Sequence, residues 1–228
     1  MIFKWGGRRG DAGEPGSEAS VLFPDASDQD QVLPTKVLKR FLASLTLKRA
    51  PELLDLGPVV GSNVTFFGER LGCKIHVSDV YAELERAIKD DKPGELSERV
   101  RVHIPHDDGA VDGILCWDVF DYLDKATALG LARELVRILA PGGALLAFFS
   151  TVESRDPFYT RFVIVDDQNL RHRPYAASST RQPVLANRDI TRMFDGLTIT
   201  ESFLLLTKTR EMLFRKPAPP AVAAEAKG

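Results

Sequence analysis

Hydrophobic residues along the middle of the chain follow two patterns of spacing that alternate. Short apolar runs, each typical of a buried strand, occur at residues 53–56, 74–77, 99–104, 112–117 and 144–149. Longer stretches with apolar residues at helical spacing predict helices at residues 33–47, 63–71, 81–89 and 126–139. Because strands and helices alternate, the sequence predicts a doubly wound α/β fold around a mostly parallel sheet.

After residue 150 the pattern of hydrophobic residues changes to one that is typical of antiparallel strands. Two strand-like segments joined by the polar turn DDQN predict an extra hairpin near residues 158–175. Asn187 is expected to cap a helix that runs through Phe194. The segments 197–206 and 209–214 predict an antiparallel strand pair at the C-terminal end of the sheet.

Composition divides the chain into a core and two polar ends. Residues 1–31 are rich in Gly, Asp, Ser and Glu, which predicts a disordered N-terminal arm. Residues 217–228 are rich in Ala and Pro, which predicts a disordered tail. No repeat or long linker interrupts residues 32–216, so we expect them to form a single domain.

Bulk composition disfavours several classes of protein. A formal net charge of −2 gives no basic field for nucleic acid or an anionic membrane. No apolar run approaches the roughly 18 residues that span a bilayer. Cys73 and Cys116 lie in apolar segments, and the His and Cys residues lack metal-ligand spacing. We therefore expect a cytoplasmic protein with neither a disulfide framework nor a metal site.

The stretch PELLDLGPVVGSN, residues 51–63, predicts a ligand-binding turn at the carboxyl end of a strand. Gly57 allows a sharp turn, and Gly61 allows a ligand or the next helix to approach the backbone closely. Asp79 follows the next strand at a separation from Asp55 that suits a carboxylate binding both hydroxyls of a ribose. The alternative for Asp79 is that it only begins the next helix.

Four segments in this order carry a family resemblance: LLDLGPVVGSN, IHVSDVY, HDDGAVDGILCWDVFDYL and LARELVRILAPGGALLAFF. Together, over about residues 51–150, they resemble the motifs of the class I S-adenosylmethionine-dependent methyltransferases. The most specific part is the long helix that ends in LAPGG before an apolar strand. The resemblance implies a seven-stranded Rossmann-like sheet, S-adenosyl-L-methionine as the cofactor, and methyl transfer as the activity.

The resemblance also implies which residues bind the cofactor: Asp55, Gly57, Pro58, Gly61, Asp79, Val80, Asp107, Cys116 and Trp117. In this assignment Asp55 anchors the loop near the amino group of the methionyl part, and Gly57 and Gly61 face that part. Asp79 would hold the ribose hydroxyls, and Val80 or Tyr81 would lie beside the adenine. Cys116, Trp117 and Asp118 would border the methyl group and the substrate.

The sequence departs from the family pattern at two places. Val59 stands where the family's loop commonly has its middle glycine, so its Cβ is expected to narrow or rotate the loop. Many members also have an acidic residue after the third strand, against the adenine amino group. Here the first acidic residue is Asp107, so either Asp107 is recruited or the backbone alone holds the adenine.

In-line methyl transfer asks the protein to align the acceptor atom, methyl carbon and sulfur and to exclude water. If the acceptor carries a proton, a general base helps. Asp118, His103 and His106 are the candidates, since they lie near the predicted carboxyl ends of the third and fourth strands. The alternatives are a helix N-cap for Asp118 and solvated loop positions for the two histidines.

We expect the acceptor to be a small molecule. Basic and aromatic residues in the hairpin, among them Arg161, Arg173 and Tyr175, could bind an anionic or aromatic substrate or a nucleic acid strand. A solvated hairpin or a contact with a second subunit is the simpler interpretation, and nucleic acid is not favoured because the chain is not basic overall. Two other functions stay open: a degenerate methyltransferase fold that acts as a binding or scaffold protein, and a nicotinamide-dependent oxidoreductase. The oxidoreductase would need a G-x-G-x-x-G loop that this chain lacks.

Overall fold

The computed structural model describes residues 30–102, 104 and 107–218, which form two β-sheets flanked by helices. The strands are β1 (Gln31–Pro34), β2 (Glu52–Asp55), β3 (Lys74–Val77), β4 (Val111–Trp117), β5 (Leu139–Ser150), β6 (Phe158–Ile164), β7 (Asn169–Ala176), β8 (Thr198–Leu204) and β9 (Thr209–Arg215). The helices are α1 (Leu38–Leu45), α2 (Gly61–Thr65), α3 (Val80–Lys89), α4 (Leu96–Val102), α5 (Lys125–Ile138) and α6 (Asn187–Met193). A π-helical segment, Phe66–Arg70, extends α2.

The predicted doubly wound arrangement is confirmed in the larger sheet, whose strand order is β3-β2-β4-β5-β9-β8. β2 pairs in parallel with both β3 and β4, and β4 pairs in parallel with β5. β9 is antiparallel to both β5 and β8, as predicted for the C-terminal pair. Since β2, β3 and β4 run in the same direction, their carboxyl ends meet at one edge, where open α/β sheets bind ligands.

One predicted strand is a helix. The prediction of a strand at 99–104 is wrong because α4 occupies most of this segment, and in the described residues the larger sheet has six strands instead of seven. Leu96, Val100 and Ile104 are buried at a spacing of four residues whereas Val102 is exposed, which is the pattern of a helical stripe. Two Glu–Arg ion pairs at helical spacing accompany the helix.

The smaller sheet is antiparallel and has the order β1-β7-β6. Its β6 and β7 confirm the predicted hairpin. The predicted helix at 33–47 is shorter than expected, since α1 begins at Leu38 and residues 31–34 pair with β7 instead. The expectation that Asn187 caps a helix is also wrong: Ala186 is at the N-cap of α6, and Asn187 is its first helical residue.

The chain ends lie almost wholly outside the described residues. The structure therefore leaves the disordered arm at 1–31, the disordered tail at 217–228 and the single domain at 32–216 as predictions.

Apolar residues fill the space on both faces of the larger sheet. One buried cluster lies among α3, α4, α5 and α6, and the other lies among α1, the α2 region and the smaller sheet. The buried side chain of Asn63 joins α2 to β6: its Nδ2 donates to the Phe162 carbonyl at 2.8 Å, and its Oδ1 accepts from the Ile164 N–H at 2.9 Å. The smaller sheet is thereby held beside the loop that follows β2.

Candidate functional site

The carboxyl ends of three neighbouring strands bring the main predicted residues together. Asp55 is the last residue of β2, Asp79 follows β3, and Trp117 ends β4 directly before Asp118. Backbone hydrogen bonds hold these ends in register, among them Ser78 N–H to the Asp55 carbonyl at 2.8 Å. We call the space between the Gly57–Gly61 loop, Asp79 and Asp118 the strand-end crevice.

Asp55 anchors the loop that follows its own strand. Its buried Oδ1 accepts hydrogen bonds from the Gly57 N–H at 2.9 Å and from the Trp117 indole Nε1–H at 2.7 Å. Burial raises the pKa of this carboxyl to about 6, and the two donors oppose that rise. The sequence predicted that Asp55 anchors this loop, but it did not predict the contact between Asp55 and Trp117.

The Trp117 side chain lies directly on the Gly57 backbone. A Cβ placed on Gly57 would be only 2.7 Å from Cδ1 of the indole. The indole is 2% exposed and stacks on Phe162 of β6, with ring centroids 5.1 Å apart and planes 8° from parallel. At Gly57 the strand-end crevice is therefore filled by an aromatic side chain of the protein itself.

An irregularity in the backbone at the end of β4 accompanies the position of the Trp117 indole over Gly57. The pairing of β4 with β5 shifts register between Leu115 and Trp117, so that Cys116 is an extra residue in the strand. Trp117 has φ of 50°, a left-handed conformation that costs a non-glycine residue about 1–3 kcal/mol. Such strain is common at functional sites, and here it accompanies the turn of the chain from β4 towards Asp118.

The outer half of the loop is open. A Cβ on Gly61 would meet no atom within 4 Å, so a ligand can approach the backbone at that point. Val59 is 67% exposed and does not fill the strand-end crevice. The Val59 side chain was expected to narrow the loop, but it does not close the site. The Trp117 side chain closes it instead.

Asp79 is half-buried at the start of α3 and caps that helix. Its Oδ1 accepts from the Ala82 N–H at 3.0 Å. Burial raises the pKa of the Asp79 carboxyl, and the backbone N–H groups of Ala82 and Tyr81 oppose the rise. The helix-start role is therefore present, and it leaves a carboxylate with lone pairs for further donors.

Tyr81 and Asp118 bridge the end of β2. The Tyr81 hydroxyl donates to Asp118 Oδ1 at 2.5 Å. Tyr81 lies in α3, which follows β3, and Asp118 follows β4, so β2 lies between the two strands that precede these residues. The Tyr81 ring is buried against Tyr122 and Tyr159, at centroid distances of 5.7 and 4.8 Å. Asp118 stands at the N-cap position of the short helical turn that follows it, as the alternative expected, but its side chain makes no capping hydrogen bond to that turn.

Arg181 adds a cation that sequence analysis missed. Its Nη2 lies 3.1 Å from Asp118 Oδ2, and its Nε lies 3.8 Å from Asp121 Oδ2. Burial and the neighbouring Asp118 carboxylate raise the pKa of Asp121 to about 7, although Arg181 and the Ser150 N–H oppose the rise. Asp121 could have been noticed as a second acid three residues after Asp118, but Arg181 stands in a polar segment without a distinguishing pattern.

Replacing Asp121 with asparagine should flatten the dependence of stability on pH. A carboxyl with a raised folded-state pKa stabilises the protein fully below its ordinary pKa, and this contribution is lost as pH rises through the folded value. For Asp121 the window runs from about pH 4 to about pH 7. Its contribution to the slope is up to about 1.4 kcal/mol per pH unit.

Urea unfolding at several pH values across this window measures the effect. The asparagine amide oxygen can still accept from the Ser150 N–H, which donates to the Asp121 carboxylate at 2.9 Å, so this hydrogen bond is kept in the variant. The exposed Asp195→Asn is the matched control. Equal slopes for the wild type and Asp121→Asn would contradict the expectation.

Some predicted site residues are not brought to the strand-end crevice. Asp107 is exposed and precedes β4, at the amino ends of the strands, so its proposed contact with the adenine is not supported. The side chains of Val80 and Cys116 are buried in the apolar cluster on the α3 and α5 face. Pro58 is half-exposed on the loop, and His103 and His106 lie outside the described residues.

Membrane spans and metal sites are both missing from the described part of the chain. Across 30–102, 104 and 107–218, each helix is too short or too polar to cross a membrane. The same residues contain no group of three or more His, Cys, Asp or Glu side chains that could hold a metal ion.

Comparison with known families and proteins gives one match in sequence. Residues 54–147 match the family described as the methyltransferase domain. None of the curated proteins matches the chain.

The solved structures that match this chain share little sequence with it. An S-adenosylmethionine-dependent methyltransferase from Clostridium acetobutylicum is 13% identical, with 79% of this chain and 92% of that chain covered and a TM-score of 0.49. A 1,6-didemethyltoxoflavin-N1-methyltransferase from Burkholderia thailandensis, with bound 1,6-didemethyltoxoflavin and S-adenosylhomocysteine, is 16% identical, with 79% and 78% covered and a TM-score of 0.43.

Proposed function

We propose that this chain, whose residues 54–147 match the methyltransferase domain family, is an S-adenosylmethionine-dependent methyltransferase that transfers a methyl group to a small-molecule acceptor by in-line displacement. The observation that carries the proposal is the grouping of Asp55, Asp79 and Asp118 on adjacent strand ends around a glycine-bearing loop. S-adenosyl-L-methionine is the cofactor of this family, and it supplies a sulfonium-activated methyl group.

The residues near Asp79 and Gly61 fit the cofactor, whereas the Trp117 side chain restricts its binding at Gly57. Asp79 can accept hydrogen bonds from a ribose diol while it caps α3, since a carboxylate has about four lone-pair positions. The open backbone at Gly61 suits close approach of a ligand. At Gly57 a ligand fits only when the Trp117 indole is turned aside.

Asp118 is the proposed general base. It stands next to Trp117 at the end of β4, and burial raises the pKa of its carboxyl, with Arg181 and Tyr81 opposing the rise. A carboxylate with a raised pKa is a better proton acceptor near neutral pH. In this role Asp118 takes a proton from the acceptor atom, and the buried aromatic rings around it exclude water.

A scaffold or binding protein on the same fold is the second candidate function. One observation favours it: Trp117 and Tyr81, both of them buried, already occupy the strand-end crevice. Calorimetry with S-adenosylmethionine, S-adenosylhomocysteine and NAD separates the candidates. Failure of both sulfur compounds to bind the wild type and a Trp117 variant at millimolar concentration would favour the scaffold.

Asp79→Asn should weaken binding of S-adenosylhomocysteine by about 1–3 kcal/mol, the size of hydrogen bonds to a charged acceptor. Asparagine still caps a helix, so α3 should keep its N-terminus. Asp124→Asn, at the N-cap of α5, is the matched control and should bind as the wild type does. Titration calorimetry measures both, and an unchanged dissociation constant for Asp79→Asn would place the ribose elsewhere.

A further inference from the structure

Three contacts hold the Trp117 indole over the loop. Its Nε1–H donates to Asp55 at 2.7 Å, its ring stacks on Phe162 at 5.1 Å, and its edge rests on the Gly57 backbone. A ring from Phe148 also packs against it edge-to-face at 5.8 Å. These contacts leave no space for another group at Gly57.

The contacts of the indole can be exchanged for those of a ligand. The buried Oδ1 of Asp55 accepts from the indole in addition to the Gly57 N–H, and an ammonium group can donate to it in place of the indole. Phe162 offers a flat apolar surface that can stay in place when the indole leaves. The closed arrangement includes the left-handed backbone of Trp117, a conformation that costs free energy in a non-glycine residue.

We propose that the Trp117 side chain is a plug that competes with the cofactor for Gly57 and Asp55, and that it swings out of the strand-end crevice when the cofactor binds. This rests on the proposed function, since it concerns the same site. The protein then exists in a closed form, described above, and an open form that binds. The apparent dissociation constant is the intrinsic one divided by the fraction of molecules that are open.

The position of the plug depends on the smaller sheet. Phe162 belongs to β6, and Asn63 fixes the backbone of β6 directly after this residue, at the Phe162 carbonyl and the Ile164 N–H. His172 of the neighbouring strand packs edge-to-face on Phe162 at 4.9 Å, and burial lowers the pKa of its imidazole to about 4, so this support is neutral at physiological pH. The plug therefore rests on a fixed surface, and its own torsion angles are what must change.

Tryptophan emission tests the movement without an activity measurement. Trp5 is the other tryptophan of the chain, so Trp5→Phe leaves Trp117 as the only tryptophan. Saturation with S-adenosylhomocysteine should move the Trp117 emission to longer wavelength and raise its quenching by iodide, because the indole leaves a buried site. Unchanged emission with the ligand bound would overturn the proposal.

Affinities of two Trp117 variants provide the second test. Trp117→Phe loses the hydrogen bond to Asp55 and should bind S-adenosylhomocysteine about fivefold more tightly. Trp117→Ala vacates the site and should bind at least about tenfold more tightly. Phe203→Ala, a half-buried ring of the same cluster on β8, is the control and should bind as the wild type does.

The outcomes separate the plug from the function. Binding to the Trp117→Ala variant together with weak or no binding to the wild type supports both proposals. Binding to the wild type with an equal or higher dissociation constant in both variants overturns the plug and leaves the methyltransferase proposal standing. Absence of binding to all of these proteins at millimolar concentration overturns both.

Discussion

Replacing Asn63 with leucine should lower the free energy of unfolding by about 2–5 kcal/mol. The Asn63 amide is the partner of two buried backbone groups, the Phe162 carbonyl and the Ile164 N–H, and leucine offers neither a donor nor an acceptor. Each buried group left without a partner costs about 1–3 kcal/mol. The loss is large because both groups belong to β6, an edge strand of the smaller sheet with its other edge paired to β7.

Urea unfolding of Asn63→Leu and of a neighbouring control measures this effect. Ser62→Ala is the control, since Ser62 lies one position earlier in α2 and is exposed. We expect the control to stay within about 0.5 kcal/mol of the wild type. A leucine variant as stable as the control would contradict the expectation, because it would show that water or a shifted backbone provides hydrogen bonds to the two backbone groups of β6.

Replacing Arg181 with leucine should lower the free energy of unfolding at pH 8 by about 3 kcal/mol. Without the guanidinium, the buried Asp118 and Asp121 carboxylates lose the cation that both of them face, and breaking one side of a buried ion pair is strongly destabilising. The loss should be smaller at pH 5, because burial raises the pKa of both carboxyls and the protonated forms need no cation.

The comparison across pH is what identifies the mechanism. Arg188→Leu, whose ion pair with Asp189 is largely exposed, is the matched control and should cost little at either pH. Chemical unfolding of both variants at pH 5 and pH 8 gives the four values. An equal loss for Arg181→Leu at both pH values would indicate lost packing in place of uncompensated charge.

Local patterns in the sequence were enough to predict the parallel core of the larger sheet and the edge at which the proposed site residues meet. An apolar run followed by a glycine marks the end of β2 in the local sequence. The parallel order of the strands then brings Asp55, Asp79 and Asp118 to one edge of the sheet. These inferences need only the spacing of residues along the chain and the rules for parallel sheets.

The prediction failed where two periodicities fit the same few residues. Between 96 and 104 the apolar residues satisfy both an alternating strand and a helical stripe, and only the burial of Leu96 and the exposure of Val102 decide for the helix. Burial is a property of the assembled core. The sequence of such a short segment therefore leaves the choice open.

The closed state of the crevice depends on contacts between distant parts of the chain. Trp117 stacks on Phe162, and Asn63 binds the backbone of the same residue, which stands 99 positions later. Arg181 reaches Asp118 from 63 positions away. No spacing rule connects such positions, so the occupants of the site could be found only from the structure.

The pairing of β1 with β7 sets an order for folding during synthesis. Gln31 lies opposite His172, so β1 waits for this partner until the ribosome has made more than two-thirds of the sequence. The parallel strands β2 to β5 end at Ser150 and are complete before then. The nascent protein can thus assemble the Gly57–Gly61 loop while Phe162 is still missing, and a newly made chain passes through a stage in which Phe162 does not yet stack on Trp117.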